Sequence, residues 1–157
     1  NGIKAIDKLK PLLTTVHISG GDKMMNASLI DHRYTKILGV SILTSLNSQQ
    51  TLKYYNEKNI ELLVKKFVVQ AKKRGLDGVV CSPIEIKYIR SLVGKKFIIV
   101  TPGIRLGNFN KITDDQTRIM SPVEAIKNGA DLLVIGRPIL NSKDPLDTLK
   151  KINSSLN

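Results

Sequence analysis

The sequence predicts an α/β protein with a parallel sheet, on three observations. Apolar runs rich in β-branched residues alternate with helix-period segments, as strands buried on both faces and their crossovers do. Two stretches repeat a common unit: "KRGLDGVVCSPIEI" and "KNGADLLVIGRPIL" each carry basic or polar helix-end residues, a glycine, one residue, an aspartate, an apolar strand, then a proline. The helix starts repeat too, with Ser82-Pro83-Ile84-Glu85 and Ser121-Pro122-Val123-Glu124 both forming a capping box with proline at the first helical position. Right-handed crossovers then allow two architectures, a five-stranded doubly wound sheet or an arc of a closed barrel. A barrel of eight βα units takes roughly 250 residues, so the 157 residues here favour the first on length alone.

The elements follow in order. The chain opens on Asn1-Gly2, inside what reads as an amphipathic helix, so it looks like the remainder of something longer. Strands are predicted at Leu13–Ser19, Lys36–Leu43, Gly78–Cys81, Phe97–Thr101 and Asp131–Ile135. In "NIELLVKKFVVQAKKRG", Ile60, Leu63, Val64, Phe67, Val68 and Ala71 recur at helical spacing and predict a core-facing stripe. Gly75 and Gly129 fall where a helix end needs a left-handed residue. Asp144-Pro145-Leu146-Asp147 predicts a further, weaker helix start.

Composition narrows the function classes. With 41% apolar and 24% charged residues the chain has the make-up of a soluble globular domain, taken as a single unit over 1–157. No apolar run approaches the roughly 18 residues of a membrane span, and the first residues lack the apolar stretch of a signal peptide. The single Cys81 excludes an internal disulfide and suits a reducing, cytoplasmic setting. The net charge of +12 raises the question of nucleic acid, but the lysines are scattered over predicted helices. Four tyrosines, three phenylalanines and no tryptophan leave little to stack on bases. A solvated lysine surface is the simpler account.

In either architecture, function sits at the C-terminal ends of strands. Those ends read "VHISGG", "ILTSLN", "VCSP", "VTPGIR" and "IGRP", a concentration of small and polar residues on one rim. His17, a lone histidine in the first of them, is assigned a structural role. The segment from Pro102 to about Met120 is much longer than the roughly 2–6 residues usual for such connections and reads as a lid. It carries Gln116, with Arg105 at its start and Arg137 across the rim. Gly136 permits close backbone approach, and the planar fork of Arg137 matches phosphate oxygens.

Together "TVHISGG", "ILTSL", "IVTPGIR" and "DDQTRIMSPVEAIKNGADLLVIGRPI" strongly resemble the bacterial orotidine 5′-phosphate decarboxylases, from about Leu13 to Leu149. The resemblance implies a (β/α)8 barrel of which this chain covers about five βα units, from the fourth strand onward. It implies conversion of orotidine monophosphate to uridine monophosphate and carbon dioxide, without metal or organic cofactor, and a homodimer. It also implies substrate contacts: Thr44 to the pyrimidine, Pro102 as a wall for the base, and Gln116, Gly136 and Arg137 to the phosphate, with Arg105 in the same ligand-binding set. The family's proton-transfer array of lysines and aspartates centres on a D-x-K-x-x-D segment, and none occurs in these 157 residues. No catalytic residue is therefore assigned to the chain, and a missing N-terminal portion is an expected partner. The alternatives are a vestigial or non-catalytic nucleotide- or RNA-binding fragment, and a related sugar-phosphate decarboxylase barrel.

Overall fold

A computed structural model describes residues 2–30, 32–106 and 118–156. The chain runs α1 (Gly2–Asp7), β1 (Leu13–His17), α2 (Gly21–Leu29), β2 (Lys36–Val40), α3 (Ser48–Tyr55), α4 (Ile60–Arg74) and β3 (Gly78–Val80). It continues through α5 (Ile86–Val93), β4 (Ile98–Thr101), α6 (Pro122–Asn128), β5 (Leu132–Leu133), α7 (Arg137–Leu140) and α8 (Pro145–Ser155). Short 3₁₀ turns at Ile18–Gly20 and Pro83–Glu85 precede α2 and α5. All five predicted strands form, each a little shorter than its apolar run. β1, β2, β3 and β5 stop short at their C-terminal ends, and β4 starts one residue late.

The strands pair in parallel and in chain order, β1-β2-β3-β4-β5. A doubly wound sheet reverses its strand order at a switch point, and no reversal occurs here. The side-chain layers agree. Val16, Ile37, Val79, Ile99 and Leu133 share one face of the sheet and pack into the core with Leu63, Val64, Val68 and Ala71 of α4. On the other face Leu38 and Val100 are buried, while the edge is open. Alternation along the last strand shows the contrast: Leu133 and Ile135 pack against the core, whereas Leu132 and Val134 are 41% and 52% exposed. Five parallel strands in chain order, with the helices packed on one face, make the sheet an arc of a barrel. The length argument for a doubly wound sheet is overruled by strand order.

One glycine is required by close packing within the sheet, and two by helix ends. A Cβ on Gly78 would lie 2.4 Å from the Ile98 carbonyl and 2.7 Å from Leu38, so only glycine fits between those side chains on the concave face. Gly75 and Gly129 adopt φ of +88° and +108° and close α4 and α6, as expected.

The repeated aspartate has a structural explanation. Asp77 accepts a hydrogen bond from the Ile37 N–H at 2.8 Å, and Asp131 accepts one from the Ile99 N–H at 2.7 Å. Each carboxylate thus caps the start of the preceding strand. Asp7 does the same work from α1, accepting from the N–H groups of Arg33, Tyr34 and Thr35. Arg90 completes this end of the sheet. Its guanidinium donates to the carbonyls of Gly94, Phe97 and Gly129 and to the Asp131 carboxylate.

Candidate functional site

Because the strands are parallel, their C-terminal ends lie on one edge of the sheet, where the predicted site residues fall. His17 ends β1 and is exposed, which places it on the rim rather than in the core. After β2 the backbone turns through Leu43–Leu46, closed by a Leu46 N–H to Leu43 carbonyl bond of 3.0 Å, and Thr44 lies buried within that turn. Pro102 follows β4 directly and is half-buried. Gly136 is exposed and open, with no atom within 4 Å of where a Cβ would stand. Arg137 begins α7 and is exposed. Pro138 at the second helical position stops nothing, because the first-turn N–H groups have no intrahelical acceptor.

The start and end of the long β4 segment are held together. Ile104 and Met120 form a parallel bridge, with Arg105 N–H donating to the Met120 carbonyl at 3.0 Å and Met120 N–H to the Gly103 carbonyl at 3.3 Å. The Arg105 side chain folds back toward its own backbone, donating to the Ile104 carbonyl at 2.9 Å. Gln116 lies outside the described residues.

Two residues at this edge were not singled out as site residues from the sequence. Arg118 forms an ion pair with Glu85 at 2.5 Å, with side chains only 10% and 3% exposed. Glu85 is the last member of the capping box, and its Oε2 accepts from the Ser82 N–H at 2.9 Å. Its Oε1 takes the arginine. Burial lifts the Glu85 carboxyl to about 7, against the opposing pull of Arg118 and the Ser82 N–H. The signal in the sequence was a buried-type helix start facing an arginine at the end of a long connection, and one-dimensional spacing does not join the two.

Beside this pair, the Oγ atoms of Ser82 and Thr101 and the Arg118 Nε are buried without a hydrogen-bond partner among the described residues. Burial, and next the Glu85 charge, push the Cys81 thiol well above its ordinary range, so it stays protonated and behaves as a small apolar group. No group of three or more His, Cys, Asp or Glu side chains among the described residues could hold a metal ion. No helix among them is long and apolar enough to cross a membrane.

The edge presents several groups suited to contacting a ligand. It offers an open glycine beside an exposed guanidinium at one strand end, a proline wall at the next, and a buried threonine two strands further along.

The comparisons agree with this geometry. A family model described as Orotidine 5′-phosphate decarboxylase / HUMPS family matches residues 3–152. An orotidine 5′-phosphate decarboxylase of Nitrosomonas eutropha is 42% identical over 146 residues, covering 92% of this chain and 62% of the relative. That of Nitrosomonas europaea is 40% identical over 154 residues, covering 97% and 66%. The crystal structure of the orotidine 5′-phosphate decarboxylase from Lactobacillus acidophilus superposes on the whole chain with a TM-score of 0.81 at 32% identity, and 68% of that protein is covered. The chain therefore spans less than two thirds of the length of the two Nitrosomonas relatives. With nearly all of its residues inside the family match, the chain belongs to the orotidine 5′-phosphate decarboxylase / HUMPS family.

Proposed function

We propose that the chain is the phosphate- and pyrimidine-binding portion of an orotidine 5′-phosphate decarboxylase, the C-terminal part of its barrel. The observation that carries this reading is the order of the motifs along one sheet edge: "ILTSL" after β2, "TPGIR" after β4 and "IGRP" after β5. Arg137 supplies two parallel N–H donors to phosphate oxygens, and Gly136 lets the backbone come close to them. Gln116 adds an amide donor and Arg105 a second cation. The Thr44 hydroxyl contacts the pyrimidine and Pro102 walls the base.

In the reaction, the bond from the pyrimidine to its carboxylate breaks, carbon dioxide leaves, and the electron pair remaining on the base takes a proton. The proton donor is a lysine of the D-x-K-x-x-D array, which these 157 residues lack. This chain's contribution is remote binding energy, used at the reacting base by the complete site. The active assembly is a barrel completed by polypeptide carrying that array, and two such barrels pair as a homodimer. The chain alone should give no decarboxylation above background.

Titration calorimetry with uridine monophosphate tests the binding role. Removing one partner of a desolvated charge pair costs about 2–5 kcal/mol, so Arg137→Ala should weaken binding roughly 100-fold at about 1.4 kcal/mol per decade. Exposed Arg137 should meanwhile leave thermal stability almost unchanged. Equal affinities of the two proteins would end the phosphate reading of "IGRP".

A further inference from the structure

Three strand ends at the candidate site meet at one guanidinium. Glu85 closes the turn after β3, and its two oxygens are both used: Oε2 accepts from the Ser82 N–H and Oε1 from Arg118 Nη1. Arg118 Nη2 donates to the Leu43 carbonyl at 3.1 Å. Arg118 itself stands just before the Ile104–Met120 bridge below β4. The Leu43 carbonyl also accepts from the Leu46 N–H, and between the two lies buried Thr44.

A buried ion pair is a poor way to gain stability, because desolvation of the two charges offsets much of their attraction. What it does well is set geometry. The guanidinium is planar, with donors in fixed directions. Once Glu85 holds Nη1, the direction of Nη2 is settled, and with it the position of the Leu43 carbonyl.

We infer that Glu85 and Arg118 are positioning residues: Glu85 orients Arg118, and Arg118 pins the Leu43–Leu46 turn so that Thr44 is presented to the pyrimidine. The inference rests on the nucleotide-binding reading of this edge. A lysine at 118 keeps the charge and three rotatable donors but lacks the rigid planar fork, and so holds the clasp less firmly.

The test uses the whole chain and two readouts, amide hydrogen exchange at Leu46 and the affinity for uridine monophosphate. Arg118→Met should speed Leu46 exchange at least tenfold and weaken the nucleotide at least tenfold. Glu85→Gln, which keeps the side-chain size and an acceptor oxygen, should shift both the same way by a smaller factor. Arg118→Lys should recover less than half of the loss on a logarithmic scale. If Arg118→Met does not fold, Glu85→Gln carries the test. Variants that melt earlier but keep wild-type Leu46 exchange overturn the clasp. Faster exchange with unchanged affinity overturns its role in presenting Thr44. Absence of nucleotide binding by the wild-type chain sinks the nucleotide reading instead, and the clasp then stands or falls on Leu46 exchange alone.

Discussion

Asp7 and Glu85 are both buried carboxylates of this sheet, one at the N-terminal end of its strands and one at the C-terminal end. Burial tends to raise both. At Asp7 that effect is overcome by the N–H groups of Tyr34, Arg33 and Thr35, which hold the carboxyl at about 2. At Glu85 burial prevails, and the carboxyl stands at about 7 even with Arg118 beside it. The difference lies first in the deeper burial of Glu85 and then in the donors: three backbone amides serve Asp7, one amide and one side chain serve Glu85.

The contrast extends to the two ends as a whole. The N-terminal end is stapled by Asp7, Asp77, Asp131 and Arg90, each bound to backbone of a neighbouring segment. The C-terminal end keeps an exposed arginine, an open glycine and buried hydroxyls without partners among the described residues. Barrels commonly divide stability and function between their ends in this way.

The largest expected effect separates the ends most sharply. Arg90→Ala strips charge-assisted donors from three carbonyls, bonds that contribute roughly 1.5–3 kcal/mol each when buried. Arg90 is partly exposed, so we expect a loss of about 3 kcal/mol in urea denaturation. Affinity of the folded protein for uridine monophosphate should stay within twofold. A large affinity loss would show that the two ends are not independent.

Glu85 should give a comparable, pH-dependent effect. Its folded value lies above the ordinary 4.5, so the folded state holds the proton more tightly. Stability from this group is full below about 4.5 and declines as pH rises through 7. The decline should be on the order of 3 kcal/mol, at about 1.4 kcal/mol per pH unit of displacement, with the pull of Arg118 already included. The groups bearing on this carboxyl are Arg118, the Ser82 N–H and Glu61 of α4. Subtracting the pH profile of Glu85→Gln from that of the wild type isolates it, and a flat difference would show that the carboxyl is not raised.

Asp7 should act with the opposite sign. Its folded value lies below the ordinary 3.8, so it stabilises above that pH and the contribution fades as pH falls toward 2. Asp7→Asn should therefore be less stable than the wild type at neutral pH, with the gap narrowing in acid. Parallel acid limbs in the two proteins would contradict the role given to the three amides.

Much of this was legible beforehand, for local reasons. The strand runs, the α4 stripe, the left-handed Gly75 and Gly129, and the proline-led helix starts are set by residues within a few positions of one another. The motif order pointed to the sheet edge because a parallel sheet collects all its strand ends on one side. The repeated aspartate was visible as a pattern, but its partner was not, since Asp131 caps a strand 32 residues away.

The sequence alone determined the alternation of strands and helices, their caps and the residues offered at each strand end, because backbone preference and apolar periodicity act over short range. The motif resemblance already implied a barrel arc, but the local pattern left it level with a doubly wound sheet, and the strand order bears the barrel arc out. That choice depends on which strands pair and which face the helices cover, and both architectures accept the same local pattern. Only the tertiary structure decided that Glu85 and Arg118, 33 residues apart, share one buried contact. Two opposite charges find each other in the core only when the surrounding strands have already fixed where water is excluded.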